Sequence, residues 1–194
     1  MHDLGRNEDR LRGTYEFPFE FHHIDSTHPR YVMSYHWHVE CEIMRILQGT
    51  LTVTLDEKSF TAKAGDVIFV NSGVLHSGIP HDCIYQCIVF DMNMFLKFNS
   101  VCTEYMQKIS HQELLIYHHF TEKHPDIQRS VNSLFDSFWQ KKPGYELVVF
   151  GQFYHFFGLV FGNHYYLESL RKNRRDYKRI VQLKQVLDFI EHNY

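Results

Sequence analysis

A mainly β chain that turns helical in its second half is what this sequence predicts, on three observations. Short apolar runs between Tyr15 and Asp91 are punctuated by Gly, Pro, Asn and Asp at roughly ten-residue spacing, as in an all-β barrel or sandwich. Several of these runs alternate apolar with polar residues, which suits strands with one wet face. After Asp91 the apolar spacing changes to three and four, the period of helices. The 194 residues hold one ordinary domain plus roughly forty to sixty residues more.

In chain order, residues 1–14 are polar and read as a mobile N-terminal arm. Tyr15-Glu16-Phe17 and Phe19-Glu20-Phe21 alternate with period two and read as strands. Leu51 to Leu55 alternates as well; the charged turn Asp56-Glu57-Lys58 and the returning run Ser59 to Ala62 complete a hairpin. Val67 to Val70 and Ile84 to Phe90 are further strands. Ile127, Val131, Leu134, Phe135 and Phe138 then fall at helical spacing, and Pro143-Gly144 ends that segment. In the next helix Leu147, Phe150, Tyr154, Phe157 and Phe161 form one stripe, and Val149, Phe153, Phe156 and Val160 a second. A helix apolar on two faces has to be buried on two, against its own barrel or against a second subunit. Residues 171–179 carry six basic residues and one acid, a local charge of +5, and read as a linker. Behind them Ile180, Leu183, Leu187, Ile190 and Tyr194 form one more amphipathic stripe.

Composition narrows the function classes. At 44% hydrophobic and 22% charged residues the chain is folded rather than disordered, and a net charge of −3 excludes a nucleic-acid-coating polycation. The N-terminus has no apolar core of a secretory signal, and the most apolar stretch, Leu147 to Phe161, is interrupted by Gly151, Gln152 and His155 and is shorter than a membrane span. Cys41, Cys83, Cys87 and Cys102 form no CxxC pair, and Cys83 and Cys87 sit about 13 Å apart on one strand face, too far for a disulfide. A reduced cytoplasm is the expected compartment.

The chemistry concentrates in residues 36–76. His36-Trp37-His38 sets two imidazoles on one face of a strand, Glu42 follows four residues later, and Gly49 seven after that. A second block places Asn71, Gly73 and His76 behind Gly65. Three imidazoles and one carboxylate converging inside a barrel suit one divalent transition metal (Zn, Ni, Mn or Fe) with open coordination positions. The same four side chains could instead be hydrogen-bonded interior polar groups, and on either reading they line the pocket. Arg45 has the opposite strand parity to Glu42, and Glu40 falls in a turn, so neither joins the cluster. His22, His23, His111, His118, His119, His124 and His155 have no ligand spacing among themselves and are assigned to surface or interface positions.

These blocks resemble the two motifs of the cupin superfamily, HxHx3Ex6G and Gx5NxGx2H. The second departs from the usual pattern, with Asn71 where Pro is usual and Pro80 where the motif ends in Asn. Residues 29–80 resemble the sensor domain of AraC/XylS-family transcriptional regulators, residues 141–166 the helical pair that follows it, and residues 177–194 the first helix of the family's helix-turn-helix domain. The resemblance implies a cupin jelly roll, or double-stranded β-helix, over about 15–91, followed by an antiparallel helical pair. It divides the chain into a barrel at 15–100, a helical dimerisation segment at 101–165, a basic linker at 166–179, and the first helix of a truncated helix-turn-helix domain at 180–194. The function implied is sensing of a small-molecule effector by a non-enzymatic homodimer, with DNA read only through a C-terminal module and no membrane partner. His36, His38, Glu42 and His76 would face effector and metal, and Tyr15 to His23 occupies the place of an arm that closes over ligand, or of an ordinary edge strand. The rivals are a metal-dependent cupin enzyme (a dioxygenase or sugar isomerase) and a stand-alone small-molecule-binding cupin.

Overall fold

The computed structural model describes residues 6–7, 12–97 and 101–168. The described residues form ten strands, of which two are long. β4 (Cys41–Leu55) and β7 (His76–Phe90) pair antiparallel along almost their whole length. Flanking them are β1 (Arg6–Asn7), β2 (Phe19–Ile24), β3 (Met33–Trp37), β5 (Lys58–Lys63) and β6 (Val67–Val70). β2 and β3 pair with β7, whereas β5 and β6 pair with β4. The result is one eight-stranded sheet, which also includes β1 and β9 (His119–Phe120).

Each long strand serves both halves of the barrel because β4 is irregular in its middle. Its register with β7 shifts on either side of Gln48, where Gly49 takes φ +66°. The motif glycine is thus the residue that lets β4 turn from one half of the barrel to the other. The hairpin foreseen at Asp56 is present, with Asp56 itself at φ +50° between β4 and β5.

Strand parity sorts the core into two clusters. Met44, Ile46, Leu51, Val53, Tyr85 and Cys87 fill the barrel. The alternate residues Ile43, Ile88 and Phe90 face outward and pack beneath α2 (Pro125–Gln140) and α3 (Tyr145–Gly162). The second apolar stripe of α3 is the one that docks: Val149, Phe153, Phe156 and Val160 are buried. Phe153 stacks on Phe19 at 5.0 Å, and Phe156 on Phe69 at 5.8 Å. The first stripe is divided, with Phe157 buried, Phe150, Tyr154 and Phe161 half-buried, and Leu147 80% exposed.

Three local expectations are corrected. Tyr15 to Phe17 is a turn rather than a strand: Thr14 Oγ1 accepts from the Phe17 amide and Pro18 has no donor for a ladder, so pairing starts at Phe19. The stretch after Asp91 is not helical throughout. Besides α1 (Thr103–Ser110) it contains β8 (Leu114–Ile116) and β9, both too short to show a period. Tyr166–Glu168, read as the start of a linker, is β10 and pairs with β8. The basic run 171–179 and the stripe from Ile180 to Tyr194 lie outside the described residues.

Candidate metal centre and ligand chamber

All four side chains singled out by spacing come together. His36 is near the end of β3, His38 just beyond it, Glu42 on β4 and His76 at the start of β7, and β3 and β4 both pair with β7. One ligand atom from each lies within 4.8 Å of those of the others. His38, Glu42 and His76 are buried, and His36 is half-buried at the mouth of the site.

The hydrogen bonds set the tautomers. Nδ1 of His36 lies 2.9 Å from the Ser34 carbonyl, Nδ1 of His38 3.1 Å from the Glu40 carbonyl, and Nδ1 of His76 2.9 Å from the Val74 carbonyl. A carbonyl only accepts, so each Nδ1 donates, and in a neutral ring Nε2 carries a lone pair. The Nε2 atoms of His38 and His76 lie 3.4 and 3.2 Å from the same carboxylate oxygen of Glu42. Neither has a hydrogen-bond partner, and both are buried. Two nitrogen lone pairs against a carboxylate repel unless a proton or a cation lies between them. Backbone-anchored Nδ1–H groups that turn Nε2 inward are the usual support of metal-ligating histidines. The residues therefore fit a divalent ion: the cluster could hold a metal with His36, His38, Glu42 and His76 as ligands.

Electrostatics favour a neutral His36 ring and an ionised Glu42. Burial, reinforced by the neighbouring His76, pushes His36 down to about 4. Burial alone would raise Glu42, but hydrogen bonding and positive charge at His38 and His76, the place that a proton or a cation between the groups would take, outweigh it and hold the carboxyl well below its ordinary range. Burial raises the thiols of Cys41, to about 12, and Cys83, to about 11, and raises Cys87 as well. Cys41, Cys83 and Cys87 are buried free thiols, and no bridge joins Cys83 to Cys87, as their spacing predicted.

Beside the cluster opens a chamber of about 280 Å³. Its wall includes residues that the spacing could not reveal: Arg12, His22, Arg30, Tyr85 and Cys87. Tyr85, Cys87 and Val89 alternate along one face of β7, and all three face the chamber. Arg12 lies in the segment read as a mobile arm, yet it is buried and donates to Glu20 at 2.7 Å. β2 is a barrel strand, with His22 and Ile24 towards the chamber and Phe19 and Phe21 against the helices.

Arg45 lies on the strand face opposite Glu42, as its parity predicted, and Glu40 is in the turn expected for it. Glu40 lies between β3 and β4. Arg45 points away from the cluster, donating to Gln86 at 2.8 Å, to Asn132 Oδ1 at 3.1 Å and to Asp136 at 2.9 Å on α2. Asn71, the departure from the motif, exchanges two buried hydrogen bonds with the backbone of Ile116, at 2.8 and 3.0 Å, and so fastens β8 to the end of β6. Several surplus histidines are fasteners rather than surface groups. His23 meets Gln86, His118 donates to the Phe69 carbonyl, and His119 bonds Asp66.

Comparison with known proteins adds a family. A curated relative, the uncharacterized HTH-type transcriptional regulator YdeC of Bacillus subtilis, is 36% identical over 56 residues. That match covers 27% of this chain and 19% of the relative, so the chain spans about a fifth of that protein's length in the match. Among solved structures, a serine-to-alanine mutant of Bacillus subtilis oxalate decarboxylase is 25% identical with a TM-score of 0.28, over 31% of this chain and 18% of that one. A tryptophan-to-phenylalanine variant of the same enzyme is 24% identical over the same shares, with a TM-score of 0.29. The family model described as the AraC-like ligand binding domain matches residues 18–157, from β2 through most of α3. With that span covering well over half its length, the chain belongs to the family of AraC-like ligand-binding domains.

Proposed function

We propose that this chain is the effector-sensing and dimerising part of an AraC-type transcriptional regulator acting in the cytoplasm, with His36, His38, Glu42 and His76 as the residues that face effector and metal. The observation that carries this reading is the position of β4. Its inward face supplies Glu42 to the chamber, and three residues on, its outward face supplies Arg45 to α2. A ligand that pulls on Glu42 therefore acts on a strand already bonded to a helix, and α2 packs on α3. A divalent ion in the cluster would supply a Lewis-acid anchor with open positions for an effector's donor atoms.

Homodimerisation is assigned to the outer face of α3. Leu147 and Val148 are 80% and 46% exposed there, and a methyl group added at Gly151 or Gly158 would meet nothing within 4 Å. DNA readout is assigned to a helix-turn-helix module following the basic run, since base readout needs a recognition helix in the major groove. Among the described residues no helix is long and apolar enough to cross a membrane. The enzyme alternative needs a second acid–base group at the chamber. Of the acids nearby, Glu20 is held by Arg12 at 2.7 Å and lies 3.3 Å from His22, and Glu40 lies 3.8 Å from His38 Nδ1.

A thermal-shift screen of the purified chain against small metabolites tests the reading, because a ligand of the folded state raises its melting temperature. A stabilising compound that also changes association or DNA binding in the longer regulator is the expected result. A compound turned over to product would establish the enzyme instead.

A further inference from the structure

The three imidazoles of the cluster are not held alike. His36 and His76 each donate Nδ1–H to a carbonyl two residues earlier in the chain, that of Ser34 and that of Val74. His38 donates forward, to the carbonyl of Glu40, and the side chain of the same residue turns back towards the ring. Oε2 of Glu40 lies 3.8 Å from His38 Nδ1, beyond hydrogen-bond reach. That oxygen is buried without a hydrogen-bond partner, and the Glu40 side chain is only 13% exposed. A carboxylate oxygen withdrawn from water with no bond in return costs free energy.

The metal chemistry of the cluster supplies a use for it. A histidine that ligates through Nε2 gains from an acceptor at Nδ1, which fixes the ring and raises the basicity of the ligating nitrogen. A carboxylate does so more strongly than a carbonyl, because its bond to N–H is charge-assisted. A divalent ion on Nε2 draws electrons from the ring and makes Nδ1–H a stronger donor, so the second acceptor is needed when the cluster is loaded. Charge points the same way. Glu42 brings one carboxylate to the cluster, and Glu40 brings the second that balances a divalent ion.

We infer that Glu40 is a positioning residue of the metal centre: its carboxylate stands behind His38 as a second acceptor for Nδ1–H and strengthens the hold of Nε2 on a divalent ion. Glu40 is not itself a ligand, because it faces the ring nitrogen turned away from the cluster. This rests on the metal-facing reading of His36, His38, Glu42 and His76 given above and adds the residue that supports it from outside.

Glu40→Gln, which keeps the shape of the side chain and removes its charge, tests the inference. Co²⁺ and Zn²⁺ titrated into the full chain against a competing chelator should bind roughly ten- to a hundredfold more weakly in the variant than in wild type. The melting temperature of the chelator-treated variant should stay within about two degrees of wild type or exceed it, since Oε2 has no bond to lose in the metal-free protein. In the Zn²⁺-loaded protein the Nδ1–H resonance of His38 should shift in the variant, while that of His76, which donates to Val74, should stay in place. Equal metal affinity in the two proteins overturns the inference. So does a variant destabilised as much without metal as with it, because Glu40 would then serve the turn and not the ion. An unmoved His38 resonance overturns it as well. The two readings fail separately. A wild-type chain that takes up neither ion removes the metal centre and this role with it, whereas uptake that is equal in wild type and variant removes this role alone.

Discussion

At the scale of single residues the account turns on which nitrogen of each histidine carries the proton. Carbonyls of Ser34, Glu40 and Val74 take the Nδ1 hydrogens, which leaves Nε2 to face Glu42. That His36, His38, Glu42 and His76 cluster was legible in the sequence, because their fixed spacing on alternating strands is what a metal site would need. Arg12 and Arg30 were not, because they come from irregular segments whose placement no period encodes. The His36 ring makes a pH-dependent contribution that can be measured in chelator-treated protein. Burial and His76 hold its folded pKa near 4, below the ordinary 6.5, so the unfolded chain binds that proton more readily. Its contribution to stability is therefore fully present above about pH 6.5 and is lost as pH falls towards 4, amounting to about 2 kcal/mol by pH 5. Urea unfolding at pH 7 and pH 5 should show this loss, and His36→Asn should reduce it by about that amount. Equal pH dependence in the two proteins would show that the ring is not held neutral.

At the scale of elements, β4 joins the chamber to the helices, and it can do so only because it turns at Gly49. A Cβ there would run into the backbone carbonyl of Asp82, and φ is +66°. Gly49→Ala should cost at least about 2 kcal/mol, from the left-handed backbone and the collision together. Chemical denaturation reads it directly, and a cost below about 0.5 kcal/mol would mean that β4 does not need this turn. The glycine was legible as a motif position, but its mechanical role was not, since spacing alone does not show which strand passes beneath it. The same limit hid β8. Leu114 to Ile116 is too short to display a period, and what holds it is the side chain of Asn71, more than forty residues earlier in the chain. On the outward face, Arg45 lies over the Phe135 ring at 5.1 Å besides bonding Asn132 and Asp136. Asp136→Ala should weaken the hold of α2 on the barrel by about 0.5–1 kcal/mol, because Asp136 is largely exposed and the remaining contacts of Arg45 persist. Faster hydrogen exchange in α2 is the corresponding signal.

At the scale of the whole molecule, a ligand chamber and an exposed helix face sit on opposite sides of one shared strand. The order of barrel then helix pair was legible from the change of apolar period at Asp91. Which stripe of α3 turns inward was not, because both are apolar and only packing against Phe19, Phe69 and Phe90 decides between them. The stripe left outside yields a test of assembly. Leu147→Glu should convert a dimer at tens of micromolar into a monomer by light scattering while leaving the melting temperature within a few degrees, since Leu147 buries almost nothing in the single chain. The central claim, however, is that the chamber is built around a bound cation, and metal analysis of the chain purified without chelators tests it most directly. The account predicts about one divalent transition-metal ion per folded chain and its loss in His38→Ala, with that variant still folded. A folded wild-type chain that carries no ion, and takes up none when dialysed against Zn²⁺, Mn²⁺, Ni²⁺ or Fe²⁺, would contradict it.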